Sequence, residues 1–206
     1  MPSIAGLASN RGRNLMHIQE RKPAGATLDV VISNHADAPI LAKAESRGIE
    51  TAVVEQSPDM TRREHERRVL GVLSDYDVDL VALDGYMRIL SETFLDAAPL
   101  TLNVHPSLLP SFPGDDAHEQ VLEAGVAVTG CTVHVVTNAV APDGSVITED
   151  VDAGPIITQE PIVVYPDDDQ DSLKERVLYE GEFNAYPRAI EMVLEGRVTQ
   201  TDAGIT

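Results

Sequence analysis

The sequence predicts an α/β fold, a Rossmann-like open and mostly parallel sheet with helices on both faces. Short β-branched runs alternate with longer helical stretches along 206 residues, and no internal repeat or low-complexity linker interrupts them. The length and the 43% hydrophobic content suit one domain over residues 1–206 with one core. Ligands of such sheets bind at the carboxyl ends of the strands, so the residues that follow strands are the first candidates for function.

Each predicted strand is a short apolar run, rich in β-branched residues, that ends at a turn signal. In chain order the strands are expected at residues 4–8, 28–33, 51–54, 78–83, 101–104, 131–136 and 155–164. The first of them is short and weakly marked. Pro161 is expected to interrupt the last one, because proline has no N–H to donate.

Helices are predicted between these strands from periodic stretches with start and stop signals. They are expected at residues 14–21, 39–47, 59–74, 117–124 and 171–195. Pro39 suits a first helical turn and Gly48 a helix end. Ser57-Pro58-Asp59 is expected to open the third helix, and Pro187 to break or bend the last one.

The net charge narrows the possible partners. Fifteen Lys and Arg residues stand against 34 Asp and Glu residues, a formal net charge of −19. This field repels phosphates, so neither nucleic acid nor an anionic membrane is expected as a partner. Two interpretations remain: an acidic surface suited to concentrated salt, or a surface for a cationic partner. The first predicts that folding and activity decline at low ionic strength.

Several other classes of protein are disfavoured. No apolar run reaches the roughly 18–20 residues of a membrane span, and no signal peptide is visible. Cys131 is the only cysteine, which excludes an internal disulfide and makes a cytoplasmic location the default. The scattered histidines lack a metal-ligand spacing, so no metal is expected. Dinucleotide and ATP motifs are absent from the sequence.

The polar turn at residues 9–14 lies between the first predicted strand and a helix start. Backbone N–H groups and the helix dipole favour an anion such as phosphate there. Gly12 permits close approach, and Arg11 and Arg13 add positive charge. An ordinary turn with solvated arginines is the alternative.

Asn103 and His105 lie two residues apart on an extended segment, so their side chains share one face. An amide beside an imidazole can stabilise an oxyanion and move a proton. Asp152, in a loop before a strand, could orient a histidine or receive a proton, although a turn aspartate is common before Gly-Pro. His134 falls on an alternating strand, where it is either a core residue or faces a site.

Five segments together carry a family resemblance. They are NVHPSLLP (103–110), PG (113–114), DGYMRIL (84–90), VDAGPIITQ (151–159) and VISNHADAPILAKAESRGI (30–49). The chain resembles the formyl-folate transferase family from about residue 4 to about residue 197. The resemblance implies transfer of the formyl group of 10-formyltetrahydrofolate to the amine of glycinamide ribonucleotide, a step of purine synthesis. It implies direct acyl transfer with small-molecule substrates, and a monomer or homodimer.

The resemblance also implies site residues. Asn103, His105 and Asp152 would be catalytic, and His134 aligns with a site histidine. The remaining positions divide by ligand: Gly12, Arg13 and Asn14 for the substrate phosphate, Glu182 (or Glu180) for its amine, and Arg63, Tyr86, Met87, Arg88, Ile89 and Leu90 for the folate. The choice between Glu182 and Glu180 is open because one residue more than the family pattern precedes Tyr186.

Three departures from the family pattern stand out. Arg13 replaces the usual serine of the first turn, and Asp84 stands where relatives carry a small or apolar residue. An insertion at about residues 139–149 is expected to form a mobile, acidic loop.

Three rival functions are weaker. Formyltetrahydrofolate deformylase usually carries an N-terminal regulatory domain, for which a first strand at residue 4 leaves no room. Methionyl-tRNA formyltransferase carries a C-terminal nucleic-acid-binding domain, and a charge of −19 suits tRNA poorly. A non-catalytic folate- or nucleotide-binding module would not need Asn103, His105 and Asp152.

Overall fold

A computed structural model describes residues 1–198, 200–201 and 204–205. Seven strands form one sheet: β1 (Ser3–Leu7), β2 (Thr27–Ser33), β3 (Glu50–Val53), β4 (Leu80–Leu83), β5 (Thr101–His105), β6 (Val128–Val135) and β7 (Ile156–Val163). Their order is β3-β2-β1-β4-β5-β6-β7. The first five strands pair in parallel, whereas β6 and β7 run antiparallel to their neighbours. The predicted α/β fold with a mostly parallel sheet is therefore confirmed.

The helices cover both faces of this sheet. They are α1 (Arg13–Arg21), α2 (Pro39–Glu45), α3 (Arg62–Leu73), α4 (Glu92–Leu95), α5 (Ala117–Ala124), α6 (Gln170–Arg176) and α7 (Phe183–Leu194). One apolar cluster packs Leu15 of α1, Ile40 of α2 and Ile190 of α7 on one face. The other packs Val69 of α3 and Phe94 of α4 on the opposite face. No helix in the described ranges is both long enough and apolar enough to cross a membrane.

Helices α3 and α4 differ most from the sequence prediction. Helix α3 begins at Arg62 rather than at residue 59, because Thr61 and Glu64 form a capping box there. The Thr61 hydroxyl accepts from the Glu64 amide, and the Glu64 carboxylate accepts from the Thr61 amide. Helix α4 was not predicted, because its four residues are too few to show a helical period.

The closing helix is interrupted, but not at Pro187. A π-helical turn, Val177–Glu182, separates α6 from α7, and Pro187 lies inside α7. Pro187 cannot donate to the carbonyl of Phe183, and that oxygen lies 3.0 Å from Nε2 of His17 instead. A π turn accommodates an added residue within a continuous helix. It therefore absorbs the extra residue that precedes Tyr186.

Strand β7 continues through Pro161, contrary to the expected interruption. Pro161 pairs with Gly130 of β6, and β7 is the edge strand of the sheet, where a missing N–H is tolerated. Gly130 is required at this pairing, because a Cβ there would lie 2.0 Å from the carbonyl oxygen of Glu160.

The insertion at residues 139–149 forms a hairpin rather than an irregular loop, and its expected mobility stays a prediction. Val140 and Val146 form an antiparallel bridge, and the Ala141 amide donates to the Ser145 carbonyl at 2.9 Å. Ala139 and Val140 are buried. Apolar side chains at the base of this hairpin anchor it to the rest of the protein, a consequence that its turn-rich sequence did not reveal.

Candidate active site

A cleft of about 1160 Å³ opens at the carboxyl ends of β1, β4 and β5. Its walls come from the segments that follow these strands, from the loop before β7, and from α6 with the π turn. Parallel strands direct their carboxyl ends to one edge of the sheet, so residues far apart in sequence meet there.

His105 is the last residue of β5, and both of its ring nitrogens face acceptors. Nε2 lies 2.8 Å from the carbonyl oxygen of Phe112, and Nδ1 lies 3.2 Å from Oδ2 of Asp152. Phe112 has a positive φ of 56°, which turns its carbonyl toward the ring. The ring is therefore held between two acceptors, and His105 is only 4% exposed.

Asp152 closes the site from the loop before β7. Its backbone is left-handed, with φ 55°, and its Oδ2 also accepts from the Gly114 amide at 2.9 Å. Its Oδ1 lies 3.6 Å from Nε2 of His134. Asp152 thus binds His105 and the Gly114 amide, and its second oxygen lies near His134, so it is not merely a turn residue.

Asn103 and His134 are cross-strand partners on β5 and β6. His134 Nδ1 lies 3.0 Å from the carbonyl oxygen of Val135, which can only accept, so Nδ1 carries the proton. Nε2 then accepts from the Asn103 amide, 3.2 Å away. Burial lowers the pKa of His134, and the nearby Asp152 charge opposes this shift. A neutral His134 therefore orients the amide of Asn103.

The N-terminus of α1 forms the opposite end of the cleft. The Asn14 side-chain amide donates to Oε2 of Glu182 at 2.6 Å and to Oδ1 of Asp84 at 3.3 Å. Oδ2 of Asp84 accepts from the backbone amides of Asn14 and Leu15, at 2.8 and 3.2 Å. The Asn14 amide, which was expected to meet a phosphate, is therefore already bound to a carboxylate.

The segment from Tyr86 to Leu90 forms one wall of the cleft, and all five of its residues line it. The Ser9 hydroxyl accepts from the Met87 amide at 2.9 Å, and the Arg62 guanidinium donates to the Ile89 carbonyl. These bonds fix the backbone while the Met87 side chain stays 65% exposed. The result is an apolar wall with backbone polar groups, as a flat heteroaromatic ligand requires.

Comparison with known proteins agrees with this architecture. The sequence profile described as formyl transferase matches residues 3–190. The chain belongs to the formyl transferase family.

Individual relatives support the assignment. The trifunctional purine biosynthetic protein adenosine-3 of Homo sapiens is 42% identical over 205 residues, which cover 98% of this chain and 19% of that protein. The phosphoribosylglycinamide formyltransferase of Escherichia coli (strain K12) is 36% identical over 201 residues, covering 95% of this chain and 89% of that protein. The crystal structure of glycinamide ribonucleotide transformylase 1 from Symbiobacterium toebii matches with a TM-score of 0.88 and 38% identity, covering 100% of this chain and 93% of that one. The chain thus spans about a fifth of the length (19%) of its trifunctional relatives.

Most of the predicted site residues of this formyl transferase lie in the one cleft, but Arg63 does not. Arg63 is exposed and is absent from the residues that line the cleft. Its neighbour Arg62 faces the Tyr86–Leu90 segment instead, because adjacent helical residues point about 100° apart. Sequence reasoning missed the bonds of Arg62 and Ser9 to the Tyr86–Leu90 segment, since Arg62 has no local chemical signature and Ser9 was read only as part of the polar turn.

Burial distinguishes Glu182 from Glu180. Glu182 is 9% exposed and lines the cleft, whereas Glu180 is exposed on the outer side of the π turn. Burial raises the pKa of Glu182 to about 7; the hydrogen bond from Asn14 opposes this, and the Asp84 charge adds to it. Arg13 and Lys174 lower the pKa of Glu182 by smaller amounts.

This pKa predicts a pH-dependent stability. A carboxyl whose pKa is higher in the folded state stabilises the fold most at a pH below its unfolded-state pKa of 4.5. This contribution to stability is lost as the pH rises through the folded-state pKa of about 7. Urea unfolding in concentrated salt would measure the free energy of unfolding of both proteins. Between pH 5 and pH 8 the wild type should lose on the order of 3 kcal/mol relative to the Glu182→Gln variant. Glu180→Gln, on the same turn, is the matched control. Parallel pH profiles for wild type and Glu182→Gln would refute the prediction.

Proposed function

We propose that this chain transfers the formyl group of 10-formyltetrahydrofolate to the amine of glycinamide ribonucleotide in purine biosynthesis. The observation that carries the proposal is the meeting of Asn103, His105 and Asp152 in a cleft large enough for two substrates. The names of the bacterial relatives, phosphoribosylglycinamide formyltransferases, support the same reaction.

The ribonucleotide is proposed to lie toward the N-terminus of α1. Arg13 and the amides of Gly12 and Arg13 are available to its phosphate, and Glu182 to its amine.

The folate is proposed to lie along the opposite wall. The Tyr86–Leu90 segment offers apolar contacts and fixed backbone groups for the pteridine ring. The hairpin at residues 139–149 adds Ala139 and Val146 to the same cleft. Val146 is 40% exposed and Met87 is 65% exposed, so both keep apolar surface available to a ligand.

The reaction follows from placing the formyl carbon between these two ends. The substrate amine attacks that carbon, and the Asn103 amide stabilises the oxyanion that forms on the formyl oxygen. His105 adds a second donor when its Nε2 exchanges the Phe112 carbonyl for the oxyanion. Asp152 receives the proton that the amine nitrogen loses, directly or through water. The bond from the formyl carbon to N10 then breaks, and N10 takes a proton from Asp152 or from water as it leaves. Holding both substrates in one cleft supplies much of the acceleration by proximity.

The test is formyl transfer by the purified protein in concentrated potassium chloride. Loss of the formyl group from 10-formyltetrahydrofolate is followed with and without glycinamide ribonucleotide. Turnover that requires the ribonucleotide is expected. Turnover without it would establish a hydrolase, that is, formyltetrahydrofolate deformylase. No turnover in either reaction would favour a different acceptor amine or a binding module.

The proposal extends to the setting of the reaction. One formyltransferase domain over residues 1–206 would work as a monomer or homodimer in the cytoplasm, on small-molecule substrates and without a metal. Size-exclusion chromatography with light scattering at high salt would measure the oligomeric state.

A further inference from the structure

Two residues that depart from the family pattern, Arg13 and Asp84, meet at the N-terminus of α1. Asp84 follows β4, about 70 residues away in sequence, yet its carboxylate binds the Asn14 and Leu15 amides. Arg13 is the first residue of the same helix. Neither departure has an explanation alone, but both residues lie at one helix terminus, which suggests a single function.

The helix N-terminus favours an anion, and here a carboxylate already provides one. The dipole of α1 and its first-turn amides attract negative charge, which in this chain is Oδ2 of Asp84. A phosphate bound to the same amides would lie within a few ångströms of that carboxylate. Two anions at that distance in a partly desolvated site repel each other strongly.

Arg13 supplies the cation that offsets this repulsion. Its side chain is 23% exposed and lines the cleft, and Nη1 lies 2.6 Å from Oε1 of Glu175. Burial raises the pKa of Asp84, and its hydrogen bonds and the Arg13 charge lower it. The Arg13 guanidinium therefore lies at the cleft, beside Glu175, where it can reach a ligand.

We propose that Asp84 and Arg13 together determine how this chain holds the substrate phosphate. Asp84 occupies the Asn14 and Leu15 amides as an internal anion, and the Arg13 guanidinium binds the phosphate in their place. This inference rests on the proposed function, because it takes glycinamide ribonucleotide as the ligand. It makes Arg13 a specificity-determining residue and Asp84 a positioning residue.

A double-mutant cycle measured by calorimetry tests the inference. The Kd of glycinamide ribonucleotide is measured without folate for the wild type, Arg13→Ser, Asp84→Ala and the double variant. Arg13→Ser should raise Kd about 100-fold, because the phosphate then faces Asp84 without a cation. Adding Asp84→Ala to Arg13→Ser should lower Kd again by about tenfold, because the α1 amides become free for the phosphate. Asp84→Ala alone should change Kd by less than about threefold, since Arg13 remains.

Three controls make the result specific. Arg21→Ser, the same substitution at the exposed end of α1, should leave Kd unchanged. Glycinamide riboside, which lacks the phosphate, should bind the wild type and Arg13→Ser equally. Asp84→Asn keeps an acceptor for the helix amides but removes the charge. Combined with Arg13→Ser, it should recover part of the affinity for the ribonucleotide. This variant replaces Asp84→Ala if thermal melts show that Asp84→Ala is unstable.

The outcomes separate this inference from the proposed function. The inference would be overturned if Asp84→Ala changed Kd by the same factor in the wild type and in Arg13→Ser. It would also be overturned if the double variant bound the ribonucleotide more weakly than Arg13→Ser does. In both cases the wild type still binds the ribonucleotide, so the proposed function stands. Failure of the wild type to bind the ribonucleotide would overturn the proposed function and the inference with it.

Discussion

Replacing Asp152 with Asn is expected to lower kcat for formyl transfer on the order of 10³-fold. The variant keeps the shape of the side chain and an oxygen for the Gly114 amide, so the loop before β7 should retain its conformation. It loses the charge that faces His105 Nδ1 at 3.2 Å and the base that receives the amine proton. The left-handed backbone of Asp152 also suits asparagine, which limits structural side effects.

Steady-state kinetics with both substrates would check this prediction. KM for each substrate should change only a few-fold, because the carboxylate acts mainly in the transition state. Asp167→Asn, an identical change at an exposed position outside the cleft, should match the wild type. A kcat for Asp152→Asn within tenfold of the wild type would remove Asp152 from the proton-transfer role.

Replacing Asn103 with Ala is expected to lower kcat about 10²- to 10³-fold, the usual cost of losing one oxyanion donor. The amide of Asn103 is oriented by Nε2 of His134, 3.2 Å away, so it is held in place before the oxyanion forms. Its removal takes away a fixed donor and leaves Nε2 of His134 without that partner. The loss should be the same from pH 7 to pH 9, because the donor itself does not titrate in that range.

Rapid-quench measurement of a single turnover would separate the chemical step from product release. Asn184→Ala, at an exposed position on α7, is the matched control and should transfer the formyl group at the wild-type rate. The single-turnover rate of His134→Gln should lie between those of Asn103→Ala and the wild type, since this change disturbs the orientation of the Asn103 amide without removing it. Full activity of Asn103→Ala would show that His105 alone stabilises the oxyanion.

The regular elements follow from the sequence because their causes are local. A period of two residues marks the strands, a period of 3.6 marks the helices, and Gly125 at its left-handed C-cap ends α5 where predicted. Catalytic candidates were found in the same way, since Asn103 and His105 lie on one face of β5 by alternation alone. Their partner Asp152 came from a turn pattern and from the family resemblance.

The errors have different causes. The capping box of Thr61 and Glu64 is a local signal that hydrophobic period alone does not show. The π turn before α7 and the hairpin at residues 139–149 are irregular elements with no fixed period. Arg63 was chosen from the family resemblance, whereas the rotation of α3 turns Arg62 toward the carbonyl of Ile89. A helix can be located from its period, but a single position on its surface needs the neighbouring element.

The sequence by itself determined the fold class and the family, and it predicted the candidate catalytic side chains, because each of these depends on local patterns. The tertiary structure alone decided which groups meet. Asp84 binds the amides of α1 because β1 and β4 are adjacent in the sheet, although about 70 residues separate them in the chain. His134 contacts Asn103 because the antiparallel register of β5 and β6 sets them opposite each other. Strand order and register result from packing the whole core, so no local segment specifies them.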